Sequence, residues 1–538
     1  MVGRYGRIKE VAAISVDYLP PVMVSILVYS TAQILTRKTK ASGFAWLAMA
    51  VVVLAGVATA GAAQKPDGKI YSRELHGQAN RDMDDYRGRL DELAAWCEKE
   101  GLADEAAKTK GWARARATDK LYITALPERI GPPRLADDAA ENVRQWQERF
   151  WKLRREQAET LFKIARQAVR QNRASLAFDL LLATVHEDPD HEVARRILGY
   201  QKFRDRWHTL FEIRKLRADW VKSDKFGWIR KVDLPRYEQG ERKYANRWVT
   251  AEEDARLHSD IRRGWDIKTE HYTVRTNHSI EAGVALGDKL EELHNVWKRL
   301  FIRYYATREQ VMGMFEGKRR GRPVKLPRHE IVYFRDRDDY NTALRDIFPN
   351  IGISTGAYVD MTRRAYFFAG EDGSDRTLLH EATHQLFHES RPVAKKVGTK
   401  ANFWIVEGLA TYMESLRKEG GDGDEDRQFV LGGFDGIRMK AARYRLLKDD
   451  FYVPLSELCG YGMKQIQTDP RVATLYSQMA GLTHFLVYYD GGRYRDALVA
   501  YLQAVYNGSQ NPAILSKLTG VPLKTLDRQY REFMRQEK

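Results

Sequence analysis

Through most of 65–240 the apolar residues recur three and four apart among dense charges, as Leu90, Leu93 and Trp96 do, a spacing that puts them on one helix face. A mainly α-helical region over 64–240 is therefore expected. Within it, 158–200 divides into two helical stretches at Glu187-Asp188-Pro189-Asp190-His191, where Asp188 ahead of Pro189 predicts the start of the second helix. His186 and His191 fall at this joint and read as solvated loop residues. Scattered Trp, Pro and Gly over 225–265 predict irregular connecting structure.

Beyond 265 the period changes. Residues 271–277 alternate apolar and polar like a half-buried strand, 280–301 read as an amphipathic helix, and 330–334 as a further strand. Residues 358–359 and 365–368 predict a hairpin directly ahead of a helix that begins near Ser374 or Asp375 and stops at Pro392. Helices follow over 472–506, with a helical tail over 511–538. The expected fold is α+β: a small mixed sheet feeding a helix over 265–510, preceded by the helical region.

That helix carries the candidate chemistry. It reads Leu379-His380-Glu381-Ala382-Thr383-His384, and two histidines four apart project from one face, where both imidazoles can bind one metal while Glu381 reaches a water at that metal. A catalytic zinc takes three protein ligands. His388 lies eight residues from His380, about 12 Å along the axis, too far to share an ion with it, and is expected at the helix surface or behind the ligands. Glu407 is the better third ligand, the one ionisable group in the apolar run 403–413. Gly408 beside it admits a close backbone, and Glu414 is not expected to affect metal occupancy.

His-Glu-x-x-His followed by Trp404-x-x-Glu407-Gly408-x-Ala410-x-Tyr412 resembles the gluzincin metallopeptidases over about 355–506. It also resembles the peptidase-like domain of a secreted bacterial family whose function is not established. The resemblance implies Zn2+ held by His380, His384 and Glu407, Glu381 as general base, and peptide or protein as substrate. It further implies a Tyr or His after the third ligand to stabilise the oxyanion, for which Tyr476 is the first candidate and His484 the second. No G-x-M-E-N segment lies upstream, so the aminopeptidase branch is unsupported. Position 387 is Phe and 390 is Ser, so the metzincin continuation is absent. The stretch 158–200 resembles a tetratricopeptide hairpin, but in one copy, whereas a solenoid needs about three.

Composition narrows the setting. The 538 residues exceed one core, and the formal charge is +16, of which 1–63 account for six Lys/Arg against two Asp/Glu. The rest remains basic and suits an anionic envelope component. Arg37, Lys38 and Lys40 precede an uncharged run, 41–64, that ends in small residues, the order of a secretory signal. An extracytoplasmic protein is expected, anchored in the membrane by 43–63 if that segment is retained. The forty residues ahead of it exceed a normal n-region, and Pro20 and Pro21 make 18–36 a poor span.

Two signals are set aside. Arg320-Gly321-Arg322-Pro323 resembles an AT-hook, but an exported chain does not meet chromosomal DNA. The acid run 422–426 lacks the Gly and Glu positions of an EF-hand. Cys97 and Cys459 lack C-x-x-C spacing and form no metal knuckle. A noncatalytic envelope binding protein that keeps the zinc-peptidase fold is the alternative, and the presence of Glu381 favours the enzyme.

Overall fold

The structure is a computed structural model, and it describes residues 73–536 apart from 114–116, 127–131, 319–323, 347, 349–350, 371–374 and 421–427. The leader 1–63, the cap at Ser374, the Arg320–Pro323 segment and the acid run 422–426 lie outside the described residues.

The chain forms a mixed α+β fold, as its periodicities predict. Helices α1 (Arg73–Lys99), α2 (Ala103–Ala113) and α3 (Glu141–Arg170) bury Tyr86, Leu90, Leu93, Trp146 and Phe150 in a core of their own. Strand β1 (Lys120–Thr124) separates α2 from α3, and α4 (Ala174–Glu187) packs along α3.

The joint after α4 differs from expectation. Asp188 ends α4, and the next helix starts only at Glu192, capped by His191, whose Nδ1 accepts from the Ala194 N–H at 3.2 Å. His191 is buried against Phe162, and His186 stacks on Trp112 with ring centroids 4.5 Å apart. Neither is a solvated loop histidine.

The largest departure lies in 200–250, expected to be helical and then irregular. It forms three hairpins, β2–β3 (Tyr200–Phe203, Arg206–Thr209), β4–β5 (Trp220–Ser223, Gly227–Arg230) and β6–β7 (Glu241–Tyr244, Arg247–Thr250). Each places a Lys directly across from a Trp: Lys202 and Trp207, Lys222 and Trp228, Lys243 and Trp248. The recurrence at intervals of about twenty residues is an internal repeat, and short strands around turns hide it from a helical reading. Aromatic contacts join the units, Phe211 to Trp228 and Tyr237 to both Phe226 and Trp248.

Strands β8 (Trp265–Lys268), β9 (Tyr272–Thr276), β10 (His329–Phe334), β11 (Ala357–Val359) and β12 (Arg364–Phe368) form one sheet in the order β11-β12-β10-β9-β8. The central pairs are parallel and both edge strands antiparallel, with the helix α5 (Ile280–Leu300) linking β9 towards β10. Strand β5 of the hairpin array packs against the edge strand β8. Beyond the sheet come α6 (Asp375–Glu389), α7 (Phe403–Met413), β13 (Arg417–Glu419), β14 (Gln428–Gly432), α8 (Ile437–Leu447) and α9 (Val472–Gly492).

The helical region and the sheet region do not part at 240. Strand β1 pairs antiparallel with β14, the Ser175 N–H donates to Asp496 Oδ1 at 3.0 Å, and Arg495 pairs with Asp179. The expected C-terminal helix is present as Leu523–Arg535, and its Leu526, Tyr530, Phe533 and Met534 are buried in the main core. Both cysteines are free and buried.

Candidate metal centre

Helix α6 lies between the sheet and α7, and α7 packs in turn on α9. Every residue of α6 from Thr377 to Glu389 is buried, its histidines and glutamates included, so these polar groups need partners in the interior. Helix α7 starts at Asn402, whose left-handed backbone (φ 62°) is fixed by side-chain bonds to the Asn511 carbonyl and the Tyr501 hydroxyl. Gly408 does admit a close backbone, but that of α9: a Cβ there would stand 2.8 Å from the Met479 carbonyl oxygen. Seating α7 so tightly on α9 holds its other face, with Glu407, against α6.

Three donor atoms converge there. His380 Nε2 and His384 Nε2 are 3.2 Å apart, and Glu407 Oε2 lies 3.3 Å from the first and 3.7 Å from the second. Ligands about 2.0–2.2 Å from a tetrahedral zinc stand about 3.3–3.6 Å from one another, so these atoms span one face of such a site. The chemistry of the set agrees. Neither Glu407 oxygen has a well-aligned hydrogen-bond donor although the residue is fully buried, and two imidazole nitrogens in contact repel unless a proton or a cation lies between them. The residues fit a divalent metal.

Burial pulls the His380 imidazole down, but the Glu407 and Glu414 carboxylates outweigh it and hold it up to about 10. Burial opposes ionisation of Glu407, yet the neighbouring histidines bring it down to about 2.

Around the donors stand residues that the sequence reading did not assign. His380 Nδ1 meets Glu414 Oε1 at 3.0 Å, which turns Nε2 towards the centre, and Glu414 is gripped by Arg438. Glu414 follows Glu407 by two helical turns, so the spacing alone could have pointed to it. Glu414 is not among the three converging residues, but it touches one of them, His380. Glu381 Oε2 accepts the backbone N–H of Tyr358 at 2.9 Å, which ties it to edge strand β11. Burial first, and Glu407 as well, raise the Glu381 carboxyl above its ordinary range.

The two oxyanion candidates separate. Tyr476 on α9 is buried beside Glu407, and burial with that carboxylate raises its phenol well above the usual value. His484, two turns further along, packs among Tyr412, Phe434, Tyr488 and Phe533. His388 is not on the surface: it is buried against Tyr358 and Tyr506, and burial brings it down to about 3.

His271, Glu291 and His294 form a second cluster of potential ligands. Glu291 Oε1 already accepts from Thr269 and the His271 N–H, and Oε2 meets His271 Nδ1 at 2.8 Å. The two imidazoles stack at 3.7 Å and 18°, and lone pairs lying in near-parallel ring planes cannot aim at one ion. This cluster is a clamp on the turn before β9.

Compared with known families and with curated proteins, the chain matches no family model and no curated protein. The chemistry of the centre has to be read from its own atoms.

Proposed function

We propose that the chain is an exported zinc-dependent peptidase of gluzincin type. The observation that carries this reading is the convergence of His380 Nε2, His384 Nε2 and Glu407 Oε2 with Glu381 on the same helix turn. Zinc, when bound by these three residues, supplies Lewis acidity towards a water and a carbonyl oxygen. Glu381, held through Oε2 by the Tyr358 N–H, takes a proton from the attacking water and returns it to the leaving amine. Its raised pKa suits a group that must both accept and release a proton. The Tyr476 hydroxyl supplies a hydrogen bond to the developing oxyanion. Export rests on the basic, apolar and small-residue order of 37–63, and the net positive charge suits anionic envelope material.

One observation favours the second reading, a noncatalytic envelope binding or scaffold protein. Glu381 is only 4 % exposed and Tyr476 6 %, so a substrate reaches them only if neighbouring groups move. Metal analysis of the purified chain, combined with a peptide-library screen with and without chelator, decides between the two. Zinc near one equivalent with chelator-sensitive cleavage supports the peptidase. Zinc without cleavage supports the binding protein, and no bound metal overturns both.

A further inference from the structure

Resting on the metal-centre reading above, we propose that Arg438 is a positioning residue of that centre: it orients Glu414, and through it the His380 ligand. The guanidinium reaches both oxygens of Glu414, Nε to Oε2 at 3.1 Å and Nη2 to Oε1 at 3.4 Å. That same Oε1 faces His380 Nδ1 at 3.0 Å, so one carboxylate couples the guanidinium to the ligand. A bidentate grip fixes the carboxylate plane, and the carboxylate plane fixes the imidazole.

Charge points the same way. The buried carboxylates at the centre are Glu381, Glu407 and Glu414, and Arg438 is an ion-pair partner of Glu414. Without Arg438 the buried Glu414 would lose its guanidinium partner, a state that a low-dielectric site penalises.

The placement of Arg438 is costly in itself. It lies in the first turn of α8, directly after the Gly436–Ile437 start, where the helix dipole disfavours a cation. Its side chain is only 17 % exposed, and Glu414 is buried. The pairing with Glu414 offsets that cost.

The test is zinc affinity of the full chain, measured by competition with a chelator, for wild type, Arg438→Met, Glu414→Gln, the double variant and Arg438→Lys. Arg438→Met should weaken zinc binding about 10–100-fold, the range expected for loss of support behind a ligand. The double variant should be no weaker than the weaker single one, because both changes break the same chain of contacts. Arg438→Lys, which keeps the charge and loses the fork, should recover part of the affinity. Melting of the chelator-treated forms separates this from loss of fold, and Glu414→Gln with Arg438→Lys carries the test if Arg438→Met does not fold. Wild-type affinity in Arg438→Met, additive losses in the double variant, or no recovery in Arg438→Lys overturns the inference while leaving the metal centre standing. A wild-type chain that binds no zinc overturns the centre and this inference together.

Discussion

His380 and Glu414 are 34 residues apart in the chain, yet Nδ1 of the one meets Oε1 of the other at 3.0 Å in the protein interior. The contact fixes which nitrogen of His380 faces Glu407 and His384, and it separates two acids that sit on the same helix face. On the proposed zinc reading Glu407 supplies a donor atom, whereas Glu414 supports one. Glu407→Ala should therefore abolish stoichiometric zinc, and Glu414→Ala should retain it with affinity lowered about 10–100-fold. Metal content after dialysis, together with a chelator titration, distinguishes them; equal loss in both would contradict the assignment.

Glu381 separates chemistry from structure. Glu381→Gln keeps the shape and all three donors, so zinc content and melting temperature should stay near wild type while peptide cleavage falls by at least about a hundredfold. His384→Ala should lose metal and activity together. Full zinc-dependent cleavage by Glu381→Gln would place the base elsewhere.

Zinc uptake should depend on pH with a definite sign. In the metal-free centre His380 is held up to about 10, above its unfolded value of about 6.5. Its protonated form thus stabilises the metal-free fold fully below pH about 6.5, and that contribution is lost as pH rises towards 10. Zinc must displace this proton, so apparent affinity should rise about tenfold per pH unit between 6.5 and 8.5. Chelator competition at three pH values checks it; a flat profile would show that no proton is exchanged.

Tyr476 and His484 should respond differently to substitution. Tyr476→Phe removes a hydroxyl beside Glu407 and should lower turnover about 10²–10³-fold with zinc retained. His484→Ala opens a hole among four aromatic rings and should instead cost about 2–5 kcal/mol of stability. Thermal melts beside single-turnover rates separate the two effects.

Gly408→Ala tests how α7 is seated. Its Cβ would stand 2.8 Å from the Met479 carbonyl and 2.9 Å from Thr483 Oγ1, and relieving that overlap should cost about 1–3 kcal/mol. Because Glu407 adjoins the point of contact, zinc affinity should fall in step with stability. A fall in neither would mean that α7 shifts freely on α9.

By itself the sequence determined the local elements and the reactive residues of the central helix. Apolar alternation over 271–277 and 365–368, and helical spacing over 280–301, correspond to β9, β12 and α5 because those periods fix which face a neighbour can cover. His380, Glu381 and His384 share a helix turn for the same reason, and Glu407 stood out as the sole charge in an apolar run. Where a short motif carries mixed spacing, as in the three Lys–Trp hairpins, local pattern gave the wrong element. The tertiary structure alone decided that Glu407 reaches the histidines, that Glu414 and Arg438 stand behind His380, and that Tyr476 rather than His484 faces the centre. It likewise made His191 a buried cap and joined β1 to β14. Such contacts depend on how close two backbones approach and at what angle, as Gly408 against Met479 illustrates. That is a property of packing between distant segments, which no local period encodes.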